Sequence, residues 1–174
     1  MSIVPPVIQF VLLALVAAAA AYDLRYRRIP NWLCLAGVIA GFAINGYEGN
    51  LRTAAMGFGL ALAVYIPLFA LRAMGGGDVK LMAAVGALTG PHHWLAIFLI
   101  TAIAGGAVAL ILLVWKGGLG RALRNAGFIL WELSHLRKPY ESRQELDVSH
   151  PKAVSLPHGA VIALGCALFL LLLR

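Results

Sequence analysis

Charge is the scarcest property of this 174-residue chain: charged residues make up 12% of it, whereas 61% of the residues are hydrophobic. A soluble domain carries about 25% charged and 45–50% apolar residues. The composition therefore excludes a water-soluble single core, and it excludes an intrinsically disordered chain, which needs low hydrophobicity and high net charge. It predicts a polytopic, all-α membrane protein forming one membrane-embedded domain over residues 1–174.

Cysteine and metal-binding motifs are also sparse. The two cysteines, Cys34 and Cys166, lie inside apolar runs, where they act as small hydrophobic side chains. The chain has no H-E-x-x-H and no G-x-S-x-G motif, and its GGGDVK stretch lacks the spacing of a phosphate-binding loop. The sequence thus predicts neither a cofactor nor a metal ion, and it disfavours a metalloprotease or a serine hydrolase.

The net charge is +7, but the basic residues lie in short stretches between apolar segments. This distribution is typical of membrane orientation and of contact with anionic lipid. We therefore expect membrane lipid as a partner and no nucleic acid.

Six apolar segments are candidates for membrane crossings. Segment 31–44 would be about 21 Å long and segment 79–89 about 16 Å, at 1.5 Å per residue. Both are shorter than a hydrocarbon core of about 30 Å. Their helices could continue into polar flanks, the bilayer could be thinned, or a water-filled cavity could be present. The six segments are 3–22, 31–44, 53–71, 79–89, 94–115 and 158–173.

The basic residues predict the orientation of these crossings. With six crossings, both termini lie on the same side of the membrane. The basic residues on that side are Arg52 and Arg174 alone. The positive-inside rule makes the other side cytoplasmic and places both termini outside. The cytoplasmic side then receives the remaining twelve of the 14 basic residues, namely Arg25, Arg27, Arg28, Arg72, Lys80, Lys116, Arg121, Arg124, Arg137, Lys138, Arg143 and Lys152.

The cytoplasmic loop at about 116–156 contains an amphipathic pattern. Its apolar residues recur at spacings of three and four, which favours an interfacial helix lying on the membrane. A solvated connector that packs on its own helices is the alternative. The apolar positions are Leu119, Leu123, Ala126, Leu130 and Leu133.

Two carboxylates are candidates for chemistry. Asp23 follows the first apolar segment and Asp78 precedes the fourth, so the predicted topology puts both at the cytoplasmic membrane boundary. Acidic residues at membrane depth are costly and usually functional. Two adjacent carboxylates share a proton, so that one acts as a base and the other as an acid. Alternatively, Asp23 pairs with a nearby arginine and Asp78 caps a helix.

The residues around Asp78 suggest a substrate-binding backbone. Gly75, Gly76 and Gly77 permit backbone conformations closed to other residues, so an extended segment of another chain could lie against them. A flexible linker is the alternative. Lys80 either reaches towards lipid headgroups or balances the charge of Asp78.

Three stretches resemble one known family in chain order. Asp23 followed by RRIPN, with Pro30 and Asn31, resembles the D-x(n)-I-P-N signature of type IV prepilin peptidases. The stretch GGGDVKL, which contains Asp78, is similar to their G-x-G-D-x-K-L signature. LPHGAVIA resembles their P-Y-G-x-x-I-A stretch, with His158 in place of the tyrosine.

The resemblance implies an aspartic endopeptidase of the bacterial inner membrane. Asp23 and Asp78 would be the catalytic pair, with Gly75, Gly76, Gly77 and Lys80 in the active-site loop. The substrates would be prepilins or pseudopilins, which lose a short basic leader at the cytoplasmic face, and pilus assembly components would be possible partners. With no C-x-x-C and no preceding region, the chain resembles the peptidase-only form of Tad/Flp pilus systems and would lack a methyltransferase domain.

Two other classes of function stay open. A small proton-coupled transporter would use Asp23 and Asp78 as relay groups, although it would be expected to carry acidic residues deeper in its segments. A non-catalytic assembly subunit of a pilus or secretion machine would leave both aspartate motifs unexplained. The sequence does not indicate an oligomeric state.

Overall fold

The computed structural model describes residues 4–72, 74–115 and 158–172, together with the isolated residues Gly120, Gly127, Phe128 and Trp131. All regular structure in these parts of the chain is α-helical. The predicted all-α class is thus confirmed. The helices are α1 (Pro6–Tyr26), α2 (Asn31–Tyr47), α3 (Leu51–Ala70), α4 (Gly76–Trp115) and α5 (His158–Leu172).

Proline and a left-handed residue set the boundaries of the first two helices. Pro6 begins α1, where a missing N–H costs nothing because the first turn has no acceptor for it. Arg27 ends α1 in a left-handed conformation (φ 53°), and its N–H donates to the Asp23 carbonyl. Pro30 then precedes α2 in an extended conformation. This short connection brings α2 back beside the end of α1.

A break divides α4 into two arms. Gly90 adopts φ 75° and ψ 173° and is followed by Pro91, which cannot continue the backbone hydrogen bonds of the preceding turn. Trp94 Nε1 donates to the Met82 carbonyl at 3.0 Å, although twelve residues of straight helix would span about 18 Å. The second arm, 91–115, therefore folds back along the first arm, 76–89, and the sequence-predicted interruption at Gly90-Pro91 is present.

The first arm lies at the centre of the helical bundle, and residues 81–90 are all buried. Small residues let its neighbours approach closely. A Cβ at Gly41 of α2 would lie 2.7 Å from the Ala87 carbonyl carbon, and one at Gly57 of α3 would overlap the Gly86 carbonyl oxygen. The central position of this arm depends on those glycines.

The short predicted segments are longer in the structure. Helix α2 runs to Tyr47, and α4 begins at Gly76, three residues before the predicted segment. Both helices thus continue into their flanks, which was one of the three alternatives. The first arm still spans only about 21 Å.

Three helices are long and apolar enough to cross a membrane, judged by length and composition: α1, α3 and residues 76–112 of α4. Helices α2 and α5 are shorter and apolar. Exposed large apolar side chains, among them Phe10, Ile39, Met56 and Ile103, cover the outside of the bundle. The chain is therefore an all-α membrane protein, and six crossings stay a prediction. The predicted interfacial helix and loop at 116–156 lie outside the described residues, apart from the four isolated ones.

Candidate active site

Asp23 lies in the last turn of α1 and is only 8% exposed. Its Oδ2 accepts a hydrogen bond of 2.8 Å from the N–H of Gly159, a residue 136 positions away in the chain. Gly159 belongs to the first turn of α5, where free N–H groups and the helix dipole favour a negative charge. The start of α5 thus holds the Asp23 carboxylate in place.

Asp78 lies in the first turn of α4 and is half-buried. Its N–H donates to the Gly75 carbonyl at 3.2 Å. Gly77, the residue before Asp78, lies beside the Ile29 side chain, and the tip of that side chain also lies beside Gly159, whose N–H donates to Asp23. The structure therefore brings the two sequence-predicted aspartates together at one end of the bundle, which we call the site end.

The three glycines before Asp78 form the beginning of α4. Gly75 precedes the helix, whereas Gly76 and Gly77 are its first two residues and Lys80 lies in the next turn. The predicted active-site loop is therefore largely the first turns of a helix. A Cβ at Gly76 would lie 3.4 Å from Phe69 Cε2, so Gly76 also fits against α3.

Lys80 has a partner that neither sequence alternative included. Its Nζ donates to Asn31 Oδ1 at 2.9 Å, and both side chains are exposed. Asn31 is the first residue of α2 and follows Pro30, whose carbonyl accepts the N–H of Leu33 at 3.2 Å. The bond between Lys80 and Asn31 ties the start of α2 to the start of α4, two residues from Asp78.

Sequence reasoning missed three neighbours of the aspartates. His158 and Gly159 were noted only as the beginning of the last segment and as part of the third motif, and Ile29 only as part of the first motif, with no contact to an aspartate expected for any of them. A glycine at the start of a helix on the same predicted side as both aspartates was the available signal for Gly159. Nothing in the local sequence identified the contacts of Ile29.

The arrangement suits acid–base chemistry on a neutral substrate. Two neighbouring carboxylates ionise in separate steps, so over a range of pH one is charged and the other protonated. The charged group can remove a proton from water while the protonated one donates to a carbonyl oxygen. Within the described ranges, no group of three or more His, Cys, Asp and Glu side chains is placed to hold a metal ion.

Comparison with known proteins identifies relatives of the chain. Residues 10–110 match the family described as the type IV leader peptidase family. The chain is similar to proteins named prepilin leader peptidase/N-methyltransferase from two Burkholderia pseudomallei strains, 1026b and K96243, with 34% identity over 120 residues in each case. The match covers 62% of this chain and 38% of each relative. No solved structure matches the chain.

Proposed function

Since this chain belongs to the type IV leader peptidase family, we propose that it is an aspartic endopeptidase that removes the leader from prepilins or pseudopilins. The observation that carries the proposal is that Asp23 and Asp78 lie at the same end of the bundle, where Ile29 packs beside Gly77, the residue before Asp78, and beside Gly159, whose N–H donates to Asp23. The family match includes both aspartates, because it spans residues 10–110.

In the proposed reaction the two carboxyls share one proton. The ionised carboxylate takes a proton from a water molecule, and the water oxygen attacks the carbonyl carbon of the scissile peptide bond. The protonated carboxyl donates to the carbonyl oxygen and stabilises the charge that develops there. Breakdown of the tetrahedral intermediate breaks the C–N bond. The leaving amine takes up the proton that the first carboxylate removed from water, and the proton on the former carbonyl oxygen returns to the second carboxylate.

The glycines before Asp78 provide a place for the substrate backbone. Gly75, Gly76 and Gly77 are half-buried, so part of their backbone stays accessible to a second chain. An extended segment beside them would bring its peptide bond next to Asp78. We propose that the leader binds there, with Lys80 on the exposed edge of the same turn.

We further propose a bacterial inner-membrane location with six crossings and both termini outside. The site end would then face the cytoplasm, among most of the basic residues. Reporter fusions at Gly49, at His93 and at the carboxyl terminus should report outside, and fusions at Arg27 and Arg143 inside. A cytoplasmic signal at His93 would contradict this topology. A Tad/Flp pilin as substrate, and pilus assembly components as partners, are part of the same proposal.

The test of the catalytic pair is the cleavage of a co-expressed prepilin, scored by its change in size. Asp23→Asn and Asp78→Asn keep the size of the side chain but remove the titratable proton. Each variant should lower cleavage by about 10²–10⁴-fold, the usual contribution of general acid–base catalysis, while the protein still accumulates in the membrane.

The matched control is Glu48→Gln, which makes the same chemical change at the exposed end of α2. It should cleave at the wild-type rate. Asp147→Asn, in the predicted cytoplasmic loop, is a second control. Normal cleavage by membrane-inserted Asp23→Asn or Asp78→Asn would refute the aspartic mechanism and favour a non-catalytic assembly subunit.

A further inference from the structure

Ile29 lies in the four-residue connection between α1 and α2 and is half-buried against the core. It carries no group that can exchange a proton, so the proposed reaction gives it no role. Its surroundings are nevertheless unusual, because it packs against the beginnings of two other helices.

Different parts of this one side chain fill the space beside two glycines. A Cβ at Gly77 would lie 3.2 Å from Ile29 Cβ and 3.6 Å from Cγ1. A Cβ at Gly159 would lie 3.2 Å from Ile29 Cδ1. The side chain therefore lies along the start of α4, with its Cβ closest and Cδ1 at 3.7 Å from the Gly77 Cβ position, and Cδ1 also contacts the start of α5.

Each of these glycines is directly connected to one aspartate. Gly77 precedes Asp78 in the chain, and the Gly159 N–H donates to Asp23 Oδ2. The isoleucine thus separates the backbone that carries one carboxyl from the backbone that holds the other. Because isoleucine is branched at Cβ, its χ1 angle is restricted and its width in this position is well defined.

We propose that Ile29 is a positioning residue that sets the separation between the Asp23 and Asp78 carboxyls. The inference rests on the proposed aspartic mechanism. The separation matters because two carboxyls share a proton only while they are close, and their two titration steps approach each other as they move apart. The titratable and charged groups near Asp78 include Asp23, His158, Cys34, Tyr65 and Lys80.

The test is a truncation series at Ile29 with kcat, KM and the pH dependence of kcat/KM measured per folded enzyme. Ile29→Val removes Cδ1, the atom nearest to Gly159, and keeps the atoms nearest to Gly77. It should lower kcat about tenfold with less than a twofold change in KM, because small displacements of reacting groups lower the rate of the chemical step strongly. Ile29→Ala should lower kcat further, by roughly a hundredfold.

The decisive readout is the width of the pH–rate curve. If Ile29 is the spacer that sets the separation, removing Cδ1 lets the two carboxyls come closer, and their titration steps move further apart. The acid and alkaline flanks of the curve should therefore move away from each other in Ile29→Val. A purely structural role would lower the amount of folded enzyme and leave the flanks in place. Ile39→Val is the matched control, because it deletes the same methyl group from an α2 side chain that is 60% exposed. It should leave kcat and both flanks unchanged.

The outcomes separate the two proposals. Wild-type kcat and flanks in Ile29→Val, with Asp23→Asn and Asp78→Asn inactive, would overturn the positioning role and leave the aspartic mechanism standing. Normal cleavage by the aspartate variants would refute both the aspartic mechanism and the positioning role of Ile29. If Ile29→Ala fails to accumulate, Ile29→Val carries the test alone, since it deletes a single methyl group.

Discussion

The two ends of the first arm of α4 are built in opposite ways. At the far end, near Gly90, neighbouring helices meet backbone to backbone, and the Asn45 amide donates to the Ala87 and Leu88 carbonyls at 3.1 and 3.2 Å. At the site end, Asp78 is half-buried and a half-buried isoleucine separates the helix starts. One end is closed by contact between main chains, whereas the other is held by side chains around an accessible carboxyl.

This difference indicates that the two ends of the first arm contribute to different properties of the protein. The far end fixes where the helix lies, because backbone contacts leave little room for adjustment. The site end leaves access for water and for a substrate. Changes at the far end should therefore alter the amount of folded protein, and changes at the site end should alter the rate per folded molecule.

The largest expected effect is on folding, at the far end. Gly57→Ala would place a methyl group against the Gly86 carbonyl oxygen, a backbone atom that cannot move away by a side-chain rotation. We expect a loss of about 3 kcal/mol in the free energy of unfolding, measured by thermal or denaturant unfolding in detergent. The cleavage rate per folded molecule should stay within twofold.

Gly59→Ala is the matched control for this change. It lies two residues along the same helix, where a Cβ would meet nothing within 4 Å. It should be neutral or stabilising, because alanine favours helix over glycine by about 1 kcal/mol. A large fall in kcat for Gly57→Ala, with its unfolding free energy unchanged, would contradict the inference that the far end determines stability and the site end determines the rate.

The next largest effect is on the rate, at the site end. In Gly159→Ala the added methyl group would lie 3.0 Å from Asp23 Cβ and 3.1 Å from its Oδ2. The carboxylate must shift, and we expect kcat to fall about a hundredfold with little change in stability.

Gly106→Ala serves as the reference for Gly159→Ala, because a Cβ at Gly106 meets nothing within 4 Å. Its kcat should equal that of the wild type. An active Gly159→Ala enzyme would show that the hydrogen bond from Gly159 does not fix the working position of Asp23.

A smaller effect on stability is expected at Asn45. Replacing it with alanine leaves the Ala87 and Leu88 carbonyls without this donor inside the bundle. The free energy of unfolding should fall by about 1–3 kcal/mol, with unchanged kcat per folded molecule. Asn50→Ala is the control, since the exposed Asn50 side chain makes no capping hydrogen bond to α3. Equal stability of the two variants would contradict the structural role of Asn45.

The smallest effect is expected for the bond between Lys80 and Asn31. Both groups are exposed, and hydrogen bonds of this kind are worth about 1 kcal/mol. Asn31→Ala should therefore lower kcat/KM only about fivefold, in proportion to that energy. The exchanged pair Asn31→Lys with Lys80→Asn can form the bond in reverse and should recover most of the activity. Failure of the exchange, with both single variants impaired, would mean that each side chain acts separately.

The sequence was sufficient for the features that depend on chain order. Helix α4 breaks where Gly90 meets Pro91, a combination that interrupts helices whatever surrounds it. Asp23 and Asp78 share one end because alternating helices return the chain to the same side. These features follow from local propensity and the alternation of helix direction.

The contacts of the site depend on how the helices are rotated about their axes, which hydrophobicity patterns do not determine. In α1 and α4, apolar residues occur on every face, so no polar stripe indicates which side meets a neighbour. The partner of Lys80 and the two contacts of Ile29 follow from those rotations. They could be found only once the helices were packed.

The hydrogen bond from Gly159 to Asp23 also sets an order of events during synthesis. A ribosome adds about 5–20 residues per second, so the 136 positions that separate the two residues correspond to roughly 7–27 s of elongation. Throughout that interval Asp23 is already made and lacks this hydrogen-bond donor. Helix α5, which is synthesised after α1–α4, therefore completes the site, and a nascent chain cannot hold this carboxylate in its final position before α5 has joined the bundle.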